Sequence, residues 1–390
     1  MPRTLATVRL ELAARCYDVR IGAGVLERVG PWVAALLHPT RAAIITHPRL
    51  ARLYGEPLAR GLGRAGVPSF SLEVPPGERQ KSLHRAEQLL GALLVGGCDR
   101  RAVVIALGGG VIGDLAGFVA ATFMRGIAFV QVPTTLIAQV DASVGGKVAV
   151  DHRLAKNAIG AFHQPSLVVA DLDMLATLPA RELRAGMAEV IKHGVIADRD
   201  LFTYLERSVE SILRLDRAAL AHIVRRSVEI KARVVAQDER EAGLRAILNL
   251  GHTVGHAIET ISSYRTVRHG EAISIGMVAA ARLGVRLCGF SEAGAARLER
   301  LLAAFGLPIR LPAGTMLSVR ALPAEASAKA GRRGISFTDA LLDVMKRDKK
   351  TLGGRLRMVL PARIGRVRIV DDVPLPEVRR VLRQMSFRTK

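Results

Sequence analysis

The sequence predicts an α/β domain over residues 1–178, followed by a mainly α-helical domain over residues 179–390. Three observations favour this fold class. The chain has 390 residues, which is too long for one compact core. Residues 1–175 alternate short apolar runs with helix-length segments, which is the rhythm of a largely parallel sheet. From about residue 179, long amphipathic patterns replace the short runs.

Apolar runs and amphipathic patterns in the sequence predict the individual strands and helices. The predicted strands of the first domain are the apolar runs at residues 42–47, 70–74, 102–110, 128–135 and 166–172. The predicted helices of the second domain cover residues 179–198, 200–213, 215–237, 250–263, 271–288 and 291–305. Pro179 stands near the start of the first of these helices, where proline is tolerated. Residues 356–370 predict a small hairpin, and a last helix is predicted from about residue 375.

Composition narrows the class of protein. The chain is 49% hydrophobic and 24% charged, which is typical of a soluble globular enzyme. No apolar run is long enough to span a bilayer, and the N-terminal residues have no signal-peptide core, so we expect a cytoplasmic protein with no membrane partner. The 3 cysteines form no CxxC pair, so neither a disulfide framework nor a thiolate zinc site is indicated.

The formal net charge of +22 is the strongest anomaly in the composition. Such a charge favours either nucleic acid or a phosphorylated, carboxylated small molecule as a partner. The excess is mostly arginine spread along the whole chain, and aromatic residues are only 4%, which leaves few stacking platforms for single strands. We therefore expect solvated basic faces and no nucleic-acid partner, and a basic nucleic-acid-binding protein remains the non-enzymatic alternative.

A glycine-rich turn follows the third predicted strand. A G-x-G-x-x-G spacing is carried by Gly108, Gly110 and Gly113. Glycines let a backbone approach a pyrophosphate, and the following helix supplies amide donors, so a nucleotide site is indicated. The turn is not in the first βα unit and no acid follows about twenty residues later, which departs from a standard dinucleotide fold. One crossover upstream, residues 75–82 could supply Glu78 and Lys81 to a ribose or phosphate.

Charged and amide side chains lie in a glycine- and alanine-rich stretch over residues 139–165. They are Asp141, Lys147, Lys156 and Asn157. Lysines beside glycines let an ammonium and backbone amides reach an anionic group, so this stretch is a candidate anion site.

Two histidines four residues apart, His252 and His256, fall on one face of a predicted helix, one turn apart. Spacing alone allows two ligands of one metal, one ligand with one acid–base group, or two core histidines. A catalytic zinc takes three ligands drawn from histidine and carboxylate, and Glu189, His252 and His269 could form that set. The pattern is not H-E-x-x-H, which excludes a zinc protease of that type. Small residues beside the histidines, Gly251, Gly255 and Gly270, favour a site.

Six motifs together resemble those of the 3-dehydroquinate synthases, the cyclases of the shikimate pathway. They are ALGGGVIGDLAGFVAATFMRG, QVPTTLIAQVDASVGGKVAVD, KNAIGAFHQP, GMAEVIKHG, LNLGHTVGHAIE and RHGEAISIGM. The resemblance runs from about residue 15 to 385. It implies an N-terminal α/β NAD-binding domain and a mainly helical metal- and substrate-binding domain, in a homodimer that uses NAD and zinc or cobalt.

The resemblance also implies roles for individual residues. The metal ligands would be Glu189, His252 and His269, whereas His256 would contact the substrate phosphate and transfer a proton. The NAD contacts would be Glu78, Lys81, Gly110, Val111, Ile112, Gly113, Asp114, Thr134, Thr135, Lys147, Lys156 and Thr177. The other substrate and catalytic groups would be Asp141, Lys147, Asn157, Lys192, Lys231, Arg245, Asn249, Arg125 from the dimer partner, and Lys349, with Lys346 or Lys350 as alternatives. His47 stands where family members often place an acid or amide toward the adenosine.

The implied reaction converts 3-deoxy-D-arabino-heptulosonate 7-phosphate to 3-dehydroquinate and phosphate. Two enzyme alternatives stay open at this point: a sugar phosphate cyclase whose substrate lacks a carboxylate, and an iron-dependent alcohol or glycerol dehydrogenase. Lys231 and Arg245 favour the carboxylated phosphate, because an arginine fork suits a carboxylate bidentately.

Overall fold

The computed structural model describes residues 5–12, 15–262, 266–310, 337–347, 351–352 and 355–385. The chain divides into two compact units, Met1–Pro179 with Leu215–Arg240, and Ala180–Arg214 with Glu241–Lys390. Residues 215–240, which the sequence assigned to the second domain, thus belong to the first unit. The reason is packing, because the helix Arg217–Gln237 lies against the first strand and against a turn at Ala138–Ala142.

A seven-stranded sheet forms the centre of the first unit, in the order β1-β2-β9-β6-β5-β3-β4. Its strands are β1 Ala6–Leu10, β2 Tyr17–Gly22, β3 Ala42–Thr46, β4 Ser69–Glu73, β5 Val103–Gly108, β6 Ala128–Pro133 and β9 Leu167–Asp171. β1 pairs antiparallel with β2, and the other neighbours are parallel. Strands β7 Lys147–His152 and β8 Ala155–Phe162 form a separate antiparallel hairpin. The five predicted strands are confirmed to within two residues.

Helices of the first unit cover both faces of this sheet. They are α1 Val29–Leu37, α2 Pro48–Leu50, α3 Glu56–Arg64, α4 Leu83–Val95, α5 Gly110–Thr122 and α9 Arg217–Gln237. Alternate residues of the central strands enter two different hydrophobic clusters: Ile45 and Val104 pack on one face, and Ile44 and Val103 on the other. Burial on both faces explains why these strands are continuous apolar runs in the sequence.

The order of the strands creates a switch point between β3 and β5. From β3 the chain crosses to β4 on one side, and then returns to place β5 on the other side. In open parallel sheets, ligands bind outside the carboxyl ends of the strands where the order reverses in this way. Thr46 Oγ1 donates a hydrogen bond of 2.8 Å to the Leu107 carbonyl at this edge. The glycine turn therefore lies at the switch point although it is not in the first βα unit.

The second unit is mainly helical, as predicted. The helices among its described residues are α6 Ala180–Ala197, α7 Arg199–Arg207, α8 Val209–Leu213, α10 His252–Ile261, α11 His269–Leu287, α12 Glu292–Ala304, α13 Phe337–Arg347 and α14 Leu375–Met385. Its strands are β10 Thr351–Leu352, β11 Arg355–Leu356, β12 Met358–Arg363 and β13 Arg366–Val370. Helix α11 is central, because it packs against α6, α10, α12, α14 and β12. Among the described residues, no helix is both long and apolar enough to cross a membrane.

Candidate metal and nucleotide sites

Three helices of the second unit bring together the three predicted metal ligands. Glu189 comes from the middle of α6, His252 from the first residue of α10 and His269 from the first residue of α11. Glu189 Oε1 lies 3.5 Å from His269 Nε2 and 3.9 Å from His252 Nε2. One donor atom from each residue falls within 4.8 Å of the others, which is the spacing of ligands around a single ion.

Glycines beside the histidines permit this convergence. Gly251 precedes α10 with φ +80°, a left-handed conformation that favours glycine. A Cβ at Gly270 would lie 1.9 Å from the Ala185 carbonyl oxygen, so only a glycine lets the start of α11 approach α6 this closely. The glycines that flank the histidines in sequence thus act by packing the three helices together.

Glu189 is an anion buried at this centre, with 1% of its side chain exposed. Lys192, one turn along α6 and equally buried, forms an ion pair with its Oε2. Burial alone would raise the pKa of Glu189, but the Lys192 ammonium and the two imidazoles hold it well below its usual range. Lys192 is thus placed at the metal centre, and its ammonium supplies the positive charge that keeps Glu189 ionised.

Both histidines present the same nitrogen to Glu189. His252 Nδ1 lies 3.2 Å from the Leu250 carbonyl oxygen, and His269 Nδ1 lies 3.3 Å from Glu259 Oε1. An acceptor at Nδ1 holds the proton there, so in the neutral ring the Nε2 lone pair is directed toward Glu189. Two imidazole nitrogens and one carboxylate oxygen form a donor set that suits a catalytic zinc or cobalt with open positions, so the residues fit a divalent metal.

The pKa values of the two histidines diverge. Burial and the nearby Lys192 ammonium hold the pKa of His252 well below its usual range, so its ring is neutral. Burial alone would also lower the pKa of His269, but its contacts with Glu189 and Glu259 raise it to about 10. Without a cation, His269 is therefore protonated near neutral pH.

His256 lies beside this centre, with its ring centroid 5.2 Å from that of His252 and 6.1 Å from that of His269. Its donor atom also falls within 4.8 Å of donors on Glu259 and His269. Glu259 is a buried residue that sequence reasoning missed. A usable signal was present, because Glu259 follows His252 by seven residues and therefore lies on the same face of α10.

The glycine turn in the first unit brings a second group of predicted residues together. Gly109 precedes α5, and the Thr134 amide donates a hydrogen bond of 3.0 Å to the Gly108 carbonyl. Buried Lys81 reaches this helix, where Nζ donates to Asp114 Oδ2 at 2.5 Å. The pKa of Asp114 is raised because burial outweighs the attraction of Lys81.

The β7–β8 hairpin adds the polar residues of the central stretch. Lys81 Nζ also donates to Asn157 Oδ1, and Lys156 Nζ lies 3.1 Å from Glu78 Oε1. Asn157 has φ +51°, an uncommon conformation that surrounding contacts must hold, and its backbone N–H donates to Asp151 Oδ1 at 2.9 Å. Glycine turn, upstream loop and hairpin thus form one polar cluster.

A separate pair joins Lys231 of α9 to the turn at Ala138–Ala142. Lys231 Nζ donates to the Asp141 carbonyl at 2.6 Å and to Asp141 Oδ1 at 2.7 Å, with 7% of the lysine side chain exposed. In the second unit, Arg245 is 2% exposed on the turn Leu244–Asn249, and Asn249 donates to Glu241 Oε1 at 2.9 Å. Lys231 and Asn249 are thus each oriented by a hydrogen bond to an acidic residue of the protein.

Several other predicted residues are exposed. Exposed Arg125 follows α5 with φ +72°, and Lys147 is exposed at the start of β7. Thr177 is exposed and its hydroxyl lies 2.6 Å from that of Tyr54. Lys349 and Lys350 lie outside the described residues, whereas Lys346 is exposed on α13.

Residues 71–351 match one protein family in two consecutive parts. Residues 71–185 match the model of the 3-dehydroquinate synthase N-terminal domain, and residues 186–351 match that of its C-terminal domain. A 3-dehydroquinate synthase from Desulforamulus reducens is 45% identical over 97% of this chain and 100% of its own length. The chain belongs to the 3-dehydroquinate synthase family.

Solved structures of related cyclases share the fold of this family member. A 2-deoxy-scyllo-inosose synthase complexed with carbaglucose-6-phosphate, NAD⁺ and Co²⁺ is 26% identical, with a TM-score of 0.84 over 97% of this chain and 100% of its own. A 2-epi-5-epi-valiolone synthase from Streptomyces hygroscopicus with NAD⁺ and Zn²⁺ bound is 29% identical, with a TM-score of 0.80 over 95% and 96%. The predicted α/β domain with a mainly helical second domain is therefore confirmed as the fold of the family.

Proposed function

We propose that this chain is a 3-dehydroquinate synthase, a carbon–oxygen lyase that converts 3-deoxy-D-arabino-heptulosonate 7-phosphate to 3-dehydroquinate and phosphate. The observation that carries the proposal is the convergence of Glu189, His252 and His269, in a chain that belongs to this family. Buried Arg245 and Lys231 support a substrate that carries both carboxylate and phosphate charges.

We infer that Glu189, His252 and His269 hold one Zn²⁺ or Co²⁺, and that the glycine turn holds NAD. The turn offers backbone amides at the start of α5, and Asp114 and Lys81 stand beside it for polar contacts. When bound, the metal would supply Lewis acidity to the substrate hydroxyls, and NAD would supply reversible hydride acceptance at C5 of the substrate.

The remaining residues bind and orient the substrate. His256, one helical turn from His252, is proposed to contact the phosphate and move a proton. Lys231 is held by Asp141 through two hydrogen bonds, which fixes its ammonium in one geometry. We further propose a cytoplasmic homodimer in which Arg125 acts on the partner's substrate. The positive φ of +72° at Arg125 supports this role, since strained conformations of this kind cluster at functional sites.

The test is a turnover assay with catalytic cofactor. Purified protein is incubated with the heptulosonate phosphate, a metal salt and NAD at about one-hundredth of the substrate, and phosphate and dehydroquinate are measured together. We expect equal amounts of both products and many turnovers per NAD, because the hydride is returned. Deuterium placed at C5 should remain at the corresponding carbon of the product.

Two outcomes would contradict the proposal. Accumulation of NADH in step with product, with loss of the C5 deuterium, would identify a dehydrogenase. Preference for a sugar phosphate that lacks a carboxylate would identify another cyclase of the superfamily.

A further inference from the structure

Glu259 contacts a proposed metal ligand from the side that faces away from the metal. Its carboxylate is buried, with 6% of the residue exposed, and Oε1 lies 3.3 Å from His269 Nδ1. The opposite nitrogen of the same ring, Nε2, is the one that lies 3.5 Å from Glu189 Oε1. The imidazole of His269 is therefore held between two carboxylates, one on each nitrogen.

We propose that Glu259 is a positioning residue for His269: its carboxylate accepts the Nδ1–H hydrogen bond and thereby holds Nε2 in the ligating orientation. This inference rests on the proposed function in one respect, since it takes Glu189, His252 and His269 as the metal ligands. Carboxylates in this position fix the tautomer and orientation of a ligating histidine and increase its basicity.

The two histidines differ in how much the fold already restrains them. The His252 side chain is 12% exposed, and a backbone carbonyl, that of Leu250, faces its Nδ1. The His269 side chain is 36% exposed at the first residue of its helix, so packing restrains it less. The acceptor that restrains His252 is thus a main-chain carbonyl. The acceptor that restrains His269 is the side chain of Glu259, which lies on α10.

A second cation is the competing explanation for these residues, because donors on His256, Glu259 and His269 also lie within 4.8 Å of one another. A second cation would have to replace the Nδ1 proton of His269. The ring would then bridge two ions as an imidazolate, with no proton on either nitrogen. One imidazole bound to one metal through Nε2, with its Nδ1 proton on a carboxylate, needs only the ordinary neutral form. We therefore assign Glu259 to orientation of the ring.

Three variants of Glu259 distinguish the effect of its side-chain length from the effect of its negative charge. Glu259→Gln keeps an acceptor oxygen at the same reach without the charge, Glu259→Asp keeps the charge one methylene short, and Glu259→Ala removes both. The matched control is Glu299→Gln, which removes a half-buried carboxylate that pairs with Arg282 at 3.0 Å in the same unit. Glu259→Gln is nearly isosteric, so it decides the question if the alanine variant does not fold.

Metal affinity is the first readout, measured by competition between the metal-free protein and a chelator for Zn²⁺. We expect Glu259→Ala to weaken binding by about 10- to 100-fold, with Glu259→Gln and Glu259→Asp between it and the wild type. The control should bind as tightly as the wild type, and every variant that folds should bind one ion per chain.

The absorption spectrum of the Co²⁺ form is the second readout, because it reports ligand geometry independently of turnover. We expect the bands to shift in Glu259→Gln and Glu259→Ala but not in Glu299→Gln. If Glu259→Gln and Glu259→Ala both keep the wild-type Zn²⁺ affinity and the wild-type Co²⁺ spectrum, the inference is overturned while the proposed function stays intact. Two ions bound per wild-type chain would also overturn it, and a wild type that binds no cation would overturn the proposed function itself.

Discussion

Metal binding should release about one proton per ion near pH 6.5, and the count follows from the pKa values of the three ligands. Glu189, with its pKa well below its usual range, is already ionised and releases none. His252, with its pKa also held low, is already neutral and releases none. His269 has its pKa raised to about 10, so it must lose one proton before Nε2 can bind a metal. A metal-bound water, with a pKa near 7, would add only about a quarter of a proton at this pH.

The assay is calorimetric titration of Zn²⁺ into metal-free protein, in buffers that differ in ionisation enthalpy. The dependence of the observed heat on buffer gives the protons released, and the apparent affinity should rise about tenfold per pH unit around pH 6. His256→Ala serves as the control and should still release one proton, since it is not among the proposed ligands. A count of zero would show that His269 is neutral before binding, and a count of two would show that His252 is protonated as well; either result refutes the argument.

The same pKa shift predicts how the stability of the metal-free protein depends on pH. A histidine whose folded pKa is raised stabilises the folded state fully below its unfolded value of 6.5, and this contribution is lost as the pH rises through about 10. The melting temperature of the metal-free protein should therefore fall across this window, while the increase produced by added metal becomes larger.

Three further predictions concern single residues. His269→Ala should lose both metal and turnover, whereas His256→Ala should keep its metal and lose rate; full zinc occupancy in the former would refute the ligand assignment. Arg245→Ala should lose about 2–4 kcal/mol of binding to a carboxylated substrate and little with a decarboxylated analogue, and equal losses would make this arginine structural. Asp171 accepts backbone hydrogen bonds of 2.7–3.1 Å from Gly24, Val25, Leu26 and Asp173. Because an amide replaces one of its acceptor oxygens with a donor, Asp171→Asn should lower the free energy of unfolding by about 2–4 kcal/mol in urea titrations. An unchanged midpoint would contradict this account.

Prediction from sequence worked best where burial is complete. All residues of β3, β5 and β9 are buried, and such strands can only be continuous apolar runs. The β7–β8 hairpin was missed because β8 has no buried residue, which leaves no apolar pattern to detect. The β1–β2 pair was missed although its residues alternate. Charged residues occupy positions between its buried ones, and exposed Arg9 and half-buried Asp18 form an ion pair of 3.1 Å across the strands.

Helix α9 shows a different limit. Its amphipathic pattern predicted the helix itself to within two residues, but a pattern on one helix does not say which core its apolar face meets. The face meets β1 and the turn that contains Asp141, so Lys231 belongs to the first unit and pairs with that aspartate. Domain membership is a property of partners distant in the chain, and it is absent from local periodicity.

The two histidines of α10 show the same limit at the level of chemistry. His252 and His256 are equivalent by spacing, because both lie on one face of the helix. What distinguishes them is the position of Glu189, more than sixty residues earlier in the chain, which lies 3.9 Å from His252 Nε2. Ligand identity therefore depends on how α6 and α11 pack against α10, and that packing depends on glycines such as Gly270. Glu259 follows the same logic: its position on the helix was visible in the sequence, but its contact with His269 exists only once α11 is in place.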